Sequence, residues 1–173
     1  MKRIMMIMAC LLMFNTLAVA QDSGFGVSLG TGQSKDNIDF HRVGLVKKWD
    51  VQWLENRTGY VDGYFELSFN RWNYNGDKIN GIALSPVFQY AFNPYKKDWY
   101  PYLEGGVGVA YLDSYMINGR DLSSNLQFED RIGAGFRFKK LDLSFRYMHY
   151  SNASLKGAND GIDIFMGSFT WFF

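Results

Sequence analysis

The sequence contains few of the residues that build disulfides and metal sites. Its only cysteine is Cys10, and its two histidines are His41 and His149. Residues 21–173 therefore cannot form an internal disulfide or a thiolate metal site, and two histidines without cysteine argue against zinc. Only three prolines occur, and beyond residue 20 no apolar run is long enough to predict a transmembrane helix.

The first 20 residues have the pattern of a secretory signal peptide. Two basic residues precede a short apolar run, and Ala-Val-Ala at 18–20 places small residues at both key cleavage positions. A signal anchor is the alternative, but the run is short for a bilayer span. Too little apolar sequence precedes Cys10 for a lipoprotein signal. We expect cleavage before Gln21, which leaves residues 21–173 as one exported domain.

Charge and composition favour an all-β chain without a nucleic-acid partner. Loss of residues 1–20 removes two of the 18 basic residues and none of the 17 acidic ones, so the remaining net charge is −1. No basic patch indicates nucleic-acid binding. Aromatic residues make up 18% of the chain, and they are favoured both in strands and at membrane interfaces.

Period-two alternation recurs along the chain and predicts strands with two different faces. In residues 141–147, one face carries Leu141, Leu143, Phe145 and Tyr147, and the other carries Asp142, Ser144 and Arg146. Similar stretches begin near residues 24, 38, 61, 81, 101, 126 and 163. Eight strands of about ten residues suit a small, closed, antiparallel barrel.

The residues opposite the apolar rows decide which face is buried. A water-soluble, lipocalin-like barrel would turn its apolar face inward, and alternation alone does not exclude it. The opposite face carries bulky charged residues, however, namely Glu66, Glu104, Glu129, Arg131, Arg137, Asp142 and Arg146. Small outer-membrane barrels have such polar interiors and an apolar, lipid-facing belt. We therefore predict an eight-stranded transmembrane β-barrel of the bacterial outer membrane, with its interior filled by salt bridges.

The ends of the predicted strands indicate the orientation. The last residues, "GSFTWFF", resemble the C-terminal assembly signal of bacterial outer-membrane barrels. With both termini in the periplasm, the long loops at 113–125 and 152–162 lie at the cell surface. Aromatic residues near strand ends are expected to form interfacial belts; they are Trp49, Trp53, Trp72, Trp99, Tyr100 and Tyr102.

The stretch "HYSNASLKGANDGID", residues 149–163, carries the candidate chemistry. Alternation places His149, Ser151 and Asp163 on the lipid-facing side, and a loop centred near Lys156 brings Asp163 opposite His149. A serine hydroxyl becomes a nucleophile when an imidazole takes its proton, and an acid orients that imidazole. The alternative is that all three residues form a polar lip in water above the membrane.

The same stretch resembles the signature of the outer-membrane lipid A 3-O-deacylases. That signature reads His, Tyr, Ser, Asn, a loop, then Asn, Asp, Gly, an apolar residue and an acid. The resemblance implies an esterase that removes the acyl chain at the 3-position of lipid A without any cofactor. It implies that His149 is the general base, Ser151 the nucleophile and Asp163 the orienting acid.

Two features of this stretch leave alternatives open. The family usually has Glu where this chain has Asp163, one methylene shorter, and Asp160 is the competing acid. By resemblance, the candidate donors of an oxyanion hole are Asn152, Asn159 and the backbone N–H groups of Ala153 and Ser154. For each asparagine the alternative is a turn residue that bonds its own backbone.

The implied partners are lipid A within lipopolysaccharide and the surrounding outer-membrane lipids, with a homodimer as an open alternative. The surface-loop cations Arg120 and Lys156 are candidates for contacting lipid A phosphates, although exposed loop cations are usually solvated. The rival hypothesis is a non-catalytic barrel with a structural or surface-binding role.

Overall fold

The computed structural model describes residues 24–157, 159 and 161–173. The predicted signal peptide and Asp160 lie outside the described residues. The strands are β1 (Phe25–Ser34), β2 (Asp39–Lys48), β3 (Tyr60–Tyr74), β4 (Asp77–Ala91), β5 (Trp99–Leu112), β6 (Met116–Ile117), β7 (Arg120–Asp121), β8 (Leu126–Phe138), β9 (Leu141–Ser151) and β10 (Ile162–Phe172). In this part of the chain, no helix is both long and apolar enough to cross a membrane.

Eight of these strands form a closed antiparallel barrel, as the alternation predicts. Their order is β1-β10-β9-β8-β5-β4-β3-β2, and β2 pairs with β1 to complete the ring. The seam joins the two ends of the chain, because Val27 of β1 lies opposite Trp171 of β10. Closure leaves no barrel strand with an unpaired edge, which a lipid environment requires.

The remaining strands, β6 and β7, form a small hairpin where the sequence predicts only a loop. Asn118 and Gly119 connect them with φ angles of 52° and 69°, the left-handed conformations of a type I′ turn. Ile117 and Leu122 are 1% and 0% exposed, so this segment buries apolar side chains at its end of the barrel. The Asn-Gly pair is the sequence signal for this hairpin.

The wall and the interior have the predicted polarity. Outward-facing apolar residues on all eight barrel strands are exposed, among them Leu29, Leu45, Leu67, Leu84, Val107, Ile132, Leu143 and Phe169. The charged residues predicted for the interior are all buried, namely Glu66, Glu104, Glu129, Arg131, Arg137, Asp142 and Arg146. An apolar wall around a charged interior is the arrangement that a lipid environment favours.

The interior charges are paired, and one member of the network was not predicted. Arg42 of β2 donates to Glu129 at 2.7 Å and to Glu66 at 3.1 Å. Arg131 contacts the same two carboxylates, at 2.6 Å for Glu66. Buried charges are tolerated when they are paired in this way, and each of these four side chains contacts a side chain of opposite charge.

Two of the aromatic residues predicted for interfacial belts are instead inside the barrel. Trp72 and Tyr102 are 0% and 2% exposed, and the Tyr102 hydroxyl donates to Asp142 Oδ1 at 2.7 Å. Trp72 shares its strand face with buried Asn70, and Tyr102 shares its face with buried Glu104. The face of the strand on which a residue lies, and not its distance from the strand end, therefore determines whether its side chain is inside the barrel. Trp53 and Trp99 are exposed.

Candidate active site

Strands β9 and β10 form the wall that carries the predicted site residues. Their register places Asp163 directly opposite His149 and Phe165 opposite Tyr147. The neighbouring residues Met148, Tyr150 and Ile162 are buried in the barrel, so His149 and Asp163 lie on the outward side. The structure thus agrees with the register that the sequence predicts for this hairpin.

A hydrogen bond joins the histidine and the acid. His149 Nδ1 lies 2.8 Å from Asp163 Oδ1, and the two side chains are 36% and 29% exposed. A carboxylate accepts hydrogen bonds, so this contact places the imidazole proton on Nδ1. In the neutral imidazole, the lone pair of Nε2 is then left to accept a proton from a neighbouring group.

Two further side chains hold Asp163, and neither was predicted. The Tyr147 hydroxyl donates to Asp163 Oδ1 at 2.7 Å, and Lys35 Nζ lies 3.5 Å from Oδ2. Tyr147 belongs to the same outward row as His149, which is a signal present in the sequence. Lys35 follows β1, whose Ser34 pairs with Ile164, so only closure of the barrel reveals its position.

A second carboxylate flanks His149 on its other side. Asp130 of β8 lies directly opposite His149, but the hydrogen bond of the imidazole is made to Asp163. The geometry therefore favours Asp163 as the partner of His149.

Among the described residues, no group of three or more His, Cys, Asp or Glu could hold a metal ion.

Ser151 is the last residue of β9 and lies opposite Phe128 of β8. It shares the outward face of β9 with Tyr147 and His149, because each is two residues from the next. The chain then turns sharply, since Ala153 and Ser154 have φ angles of 49° and 61°. This left-handed turn follows the end of β9 directly.

The asparagine that follows the serine shapes this turn. Asn152 Oδ1 accepts the Ser154 N–H at 2.8 Å, and the Asn152 carbonyl accepts the Leu155 N–H at 3.0 Å. Asn152 thus has the turn-forming role that was the alternative at the sequence level. The Ser154 N–H is already bonded. Among the described residues, none accepts a hydrogen bond from the Ala153 N–H.

The segment that contains β6 and β7 forms hydrogen bonds with Asn152, with Asn159 and with Gly161, at the end of the loop between β9 and β10. The Leu122 carbonyl accepts hydrogen bonds from the amide nitrogens of Asn159 at 3.2 Å and Asn152 at 3.5 Å. Arg120 donates to the Gly161 carbonyl at 2.7 Å and forms an ion pair with Asp36. Arg120 is therefore part of the loop packing and not a solvated cation.

Gly161 approaches the imidazole closely. Its φ is +54°, and a Cβ at this position would lie 2.7 Å from His149 Cε1 and 3.1 Å from Nε2. A side chain at position 161 would therefore clash with the imidazole of His149 near Nε2, the nitrogen that faces away from Asp163. Only glycine combines this backbone conformation with the missing Cβ.

A shallow depression lies on the outer wall toward the middle of the barrel. It is bordered by the apolar residues Leu29, Ala134, Phe136, Leu143, Phe145 and Phe169, and by Gly167. Gly167 is on the same outward row of β10 as Asp163, about 13 Å away along the strand. Apart from Gly167 and its two chain neighbours, no atom of the described residues lies within 4 Å of the place that a Cβ on Gly167 would occupy.

A closed barrel with an apolar wall, a charged interior and a polar cluster on its outward face defines an integral outer-membrane protein. The model of the lipid A 3-O-deacylase (PagL) family matches residues 39–172. The chain therefore belongs to the lipid A 3-O-deacylase family.

Individual relatives agree with this assignment. Lipid A deacylase PagL of Pseudomonas aeruginosa is 35% identical over 160 residues, which cover 90% of this chain and 91% of the relative. Lipid A deacylase PagL of Bordetella bronchiseptica is 30% identical over 163 residues, which cover 90% and 88%.

Solved structures share the barrel. The crystal structure of the outer membrane enzyme PagL superposes with a TM-score of 0.78 at 34% identity, over 84% of this chain and 98% of that one. A de novo designed transmembrane β-barrel has a TM-score of 0.53 at 13% identity, over 89% of this chain and 98% of the design. The design supports the fold alone.

Proposed function

We propose that this protein hydrolyses the ester-linked acyl chain at the 3-position of lipid A in the outer leaflet, with Ser151 as nucleophile. His149 is the general base, and Asp163 orients it. The hydrogen bond of 2.8 Å between His149 Nδ1 and Asp163 Oδ1, on the outward wall of a lipid A 3-O-deacylase family barrel, is the observation that supports this assignment.

The residues suit a two-step ester hydrolysis. His149 Nε2 takes the proton from the Ser151 hydroxyl as its oxygen attacks the ester carbonyl, and it then returns the proton to the departing sugar oxygen. Water activated by the same imidazole attacks the acyl-enzyme and releases the fatty acid. Asp163 keeps the imidazole in the required tautomer and stabilises its charged form, and no step requires a cofactor.

The negative oxygen of the tetrahedral intermediate needs hydrogen-bond donors. The Ala153 N–H suits this role because it follows Ser151 by two residues and donates to no described group. Asn152 and Asn159 act one step away, by anchoring the loop to the Leu122 carbonyl.

The wall offers a path for the substrate. Lipid A would reach the site by lateral diffusion, with its sugar at the polar lip and its acyl chain along the apolar wall. The depression beside Gly167 lies on the membrane side of Asp163 and is lined mainly by apolar side chains. An acyl chain that lies there would place its ester end near Ser151.

Mass spectrometry of lipid A incubated with the detergent-solubilised barrel tests the proposed function. We expect lipid A to lose the mass of its 3-position acyl chain, with release of one free fatty acid. A glycerophospholipid is the matched control and should stay intact. Unchanged lipid A in the presence of a folded barrel, or loss of a different acyl chain, would contradict the proposal.

Replacing Gly167 with phenylalanine should lower activity by about tenfold. The new ring would fill the depression that we assign to the acyl chain, and the position has open space, so the barrel should still fold. The measurement is kcat/KM on lipid A. Gly105→Phe is the control, because Gly105 also lies in the barrel wall. Among the described residues other than its chain neighbours, only one backbone atom lies near its Cβ position, at 3.7 Å. Equal rates for both variants would reject the depression as the acyl site.

A further inference from the structure

We propose that Tyr147 and Lys35 are positioning residues that hold the Asp163 carboxylate against His149, with Tyr147 as the dominant one. The inference rests on the proposed function, because it concerns how the acid of that site is kept in place. It adds two residues from outside the stretch 149–163.

The carboxylate is held from three directions. Asp163 Oδ1 accepts from both the Tyr147 hydroxyl at 2.7 Å and His149 Nδ1 at 2.8 Å. Lys35 Nζ approaches Oδ2 at 3.5 Å. An aspartate carboxylate can rotate about its two side-chain bonds, and donors on both oxygens restrict that rotation.

Position along the wall explains why Tyr147 is the stronger support. Tyr147 precedes His149 by two residues on the same face, so its hydroxyl reaches Asp163 diagonally, from the membrane side. Its ring packs against Phe165, with centroids 5.3 Å apart, which fixes the direction of the hydroxyl. A hydroxyl held in this way fixes Oδ1 at the position from which it also accepts from His149 Nδ1.

Lys35 makes a weaker contribution. Its side chain is 69% exposed, and exposed ion pairs contribute little and are screened by salt. Lys35 contacts Asp163 Oδ2, whereas His149 contacts Oδ1. The effect of Lys35 should therefore be small and should decrease with ionic strength, unlike the effect of Tyr147.

A double-mutant cycle separates positioning from simple packing. Tyr147→Phe keeps the ring and removes the hydroxyl, and we expect kcat on lipid A to fall about tenfold with KM unchanged. In an Asp163→Glu background the longer side chain moves the carboxylate away from the Tyr147 hydroxyl, so the same substitution should cost less than about threefold. Tyr90→Phe is the matched control, since that outward tyrosine also bonds a neighbour, Thr58, at the other end of the barrel.

Lys35→Met adds an independent readout. It retains an unbranched apolar side chain and removes the charge, and we expect a two- to fivefold loss of kcat at low salt that disappears at about 0.5 M salt. A loss that is unchanged by salt would contradict the electrostatic role of Lys35.

The outcomes distinguish this inference from the proposed function. Two results would show that the positioning role is wrong: Tyr147→Phe retains wild-type kcat, or it lowers kcat by the same factor in the wild-type and Asp163→Glu backgrounds. If Ser151→Ala is inactive at the same time, the proposed function stands. If the folded wild-type barrel leaves lipid A intact, the proposed function fails first. Circular dichroism of each variant verifies that the barrel is folded.

Discussion

Replacing Ser151 with alanine is expected to lower the rate of lipid A deacylation by about 10⁴-fold or more. The substitution removes the only atom proposed to form the acyl-enzyme, and loss of a triad nucleophile elsewhere has effects of this size. KM should change little, because alanine leaves the wall and the loop intact. The measurement is the initial rate of fatty acid release from lipid A by purified protein.

The matched control is Ser68→Ala on β3. Ser68 Oγ is buried and has no hydrogen-bond partner among the described residues, so its removal should affect neither folding nor rate. The two variants remove the same group from the same kind of strand. If Ser151→Ala deacylated lipid A as fast as Ser68→Ala, a serine mechanism at this site would be excluded.

Replacing Gly161 with alanine is expected to lower kcat by about 100-fold. The added Cβ would lie 2.7 Å from His149 Cε1, so either the imidazole or the loop must move. A displacement of about 1 Å at a reacting group can cost two orders of magnitude in rate. Alanine at a φ of +54° also costs about 1 kcal/mol of backbone strain. Rate measurements on the folded variant separate this strain from the effect on the imidazole.

Gly119→Ala provides the comparison for backbone strain alone. Gly119 has a φ of +69°, and apart from its two chain neighbours no described residue has an atom within 4 Å of its Cβ position. Both variants place alanine in a left-handed conformation, but only one of them contacts His149. Equal activities would show that the close approach of Gly161 to the imidazole is irrelevant to the reaction.

Most of the barrel could be predicted because alternation reports directly on the two faces of a strand. The charged interior was predictable for the same reason, as Glu66 and Arg146 stand opposite apolar rows. Arg42 is harder to predict, because the apolar residues Phe40 and Val46 share its face and polarity does not alternate cleanly along β2. Trp72 lies near the end of β3, as an interfacial residue would, but on the strand's inward face, so it is buried.

Only the part of the site that lies on the β9–β10 hairpin could be predicted from the sequence. His149 and Asp163 are paired by adjacent strands joined by a single loop, so register could be inferred from the sequence. The contact of Lys35 with Asp163 depends on the pairing of β1 with β10. The Leu122 carbonyl follows the β6–β7 hairpin, whose strands of two residues are too short to show alternation. Contacts between elements distant along the chain have no local pattern that predicts them.

The seam between β1 and β10 makes one contact of this site dependent on closure of the barrel. Lys35 and Asp163 come from opposite ends of the chain, and the pairing of Ser34 with Ile164 brings them together. A chain whose two ends have not met lacks both this contact and a continuous wall along which a lipid could lie. The pairing of β1 with β10, which closes the barrel, therefore also brings Lys35 to the carboxylate that contacts His149.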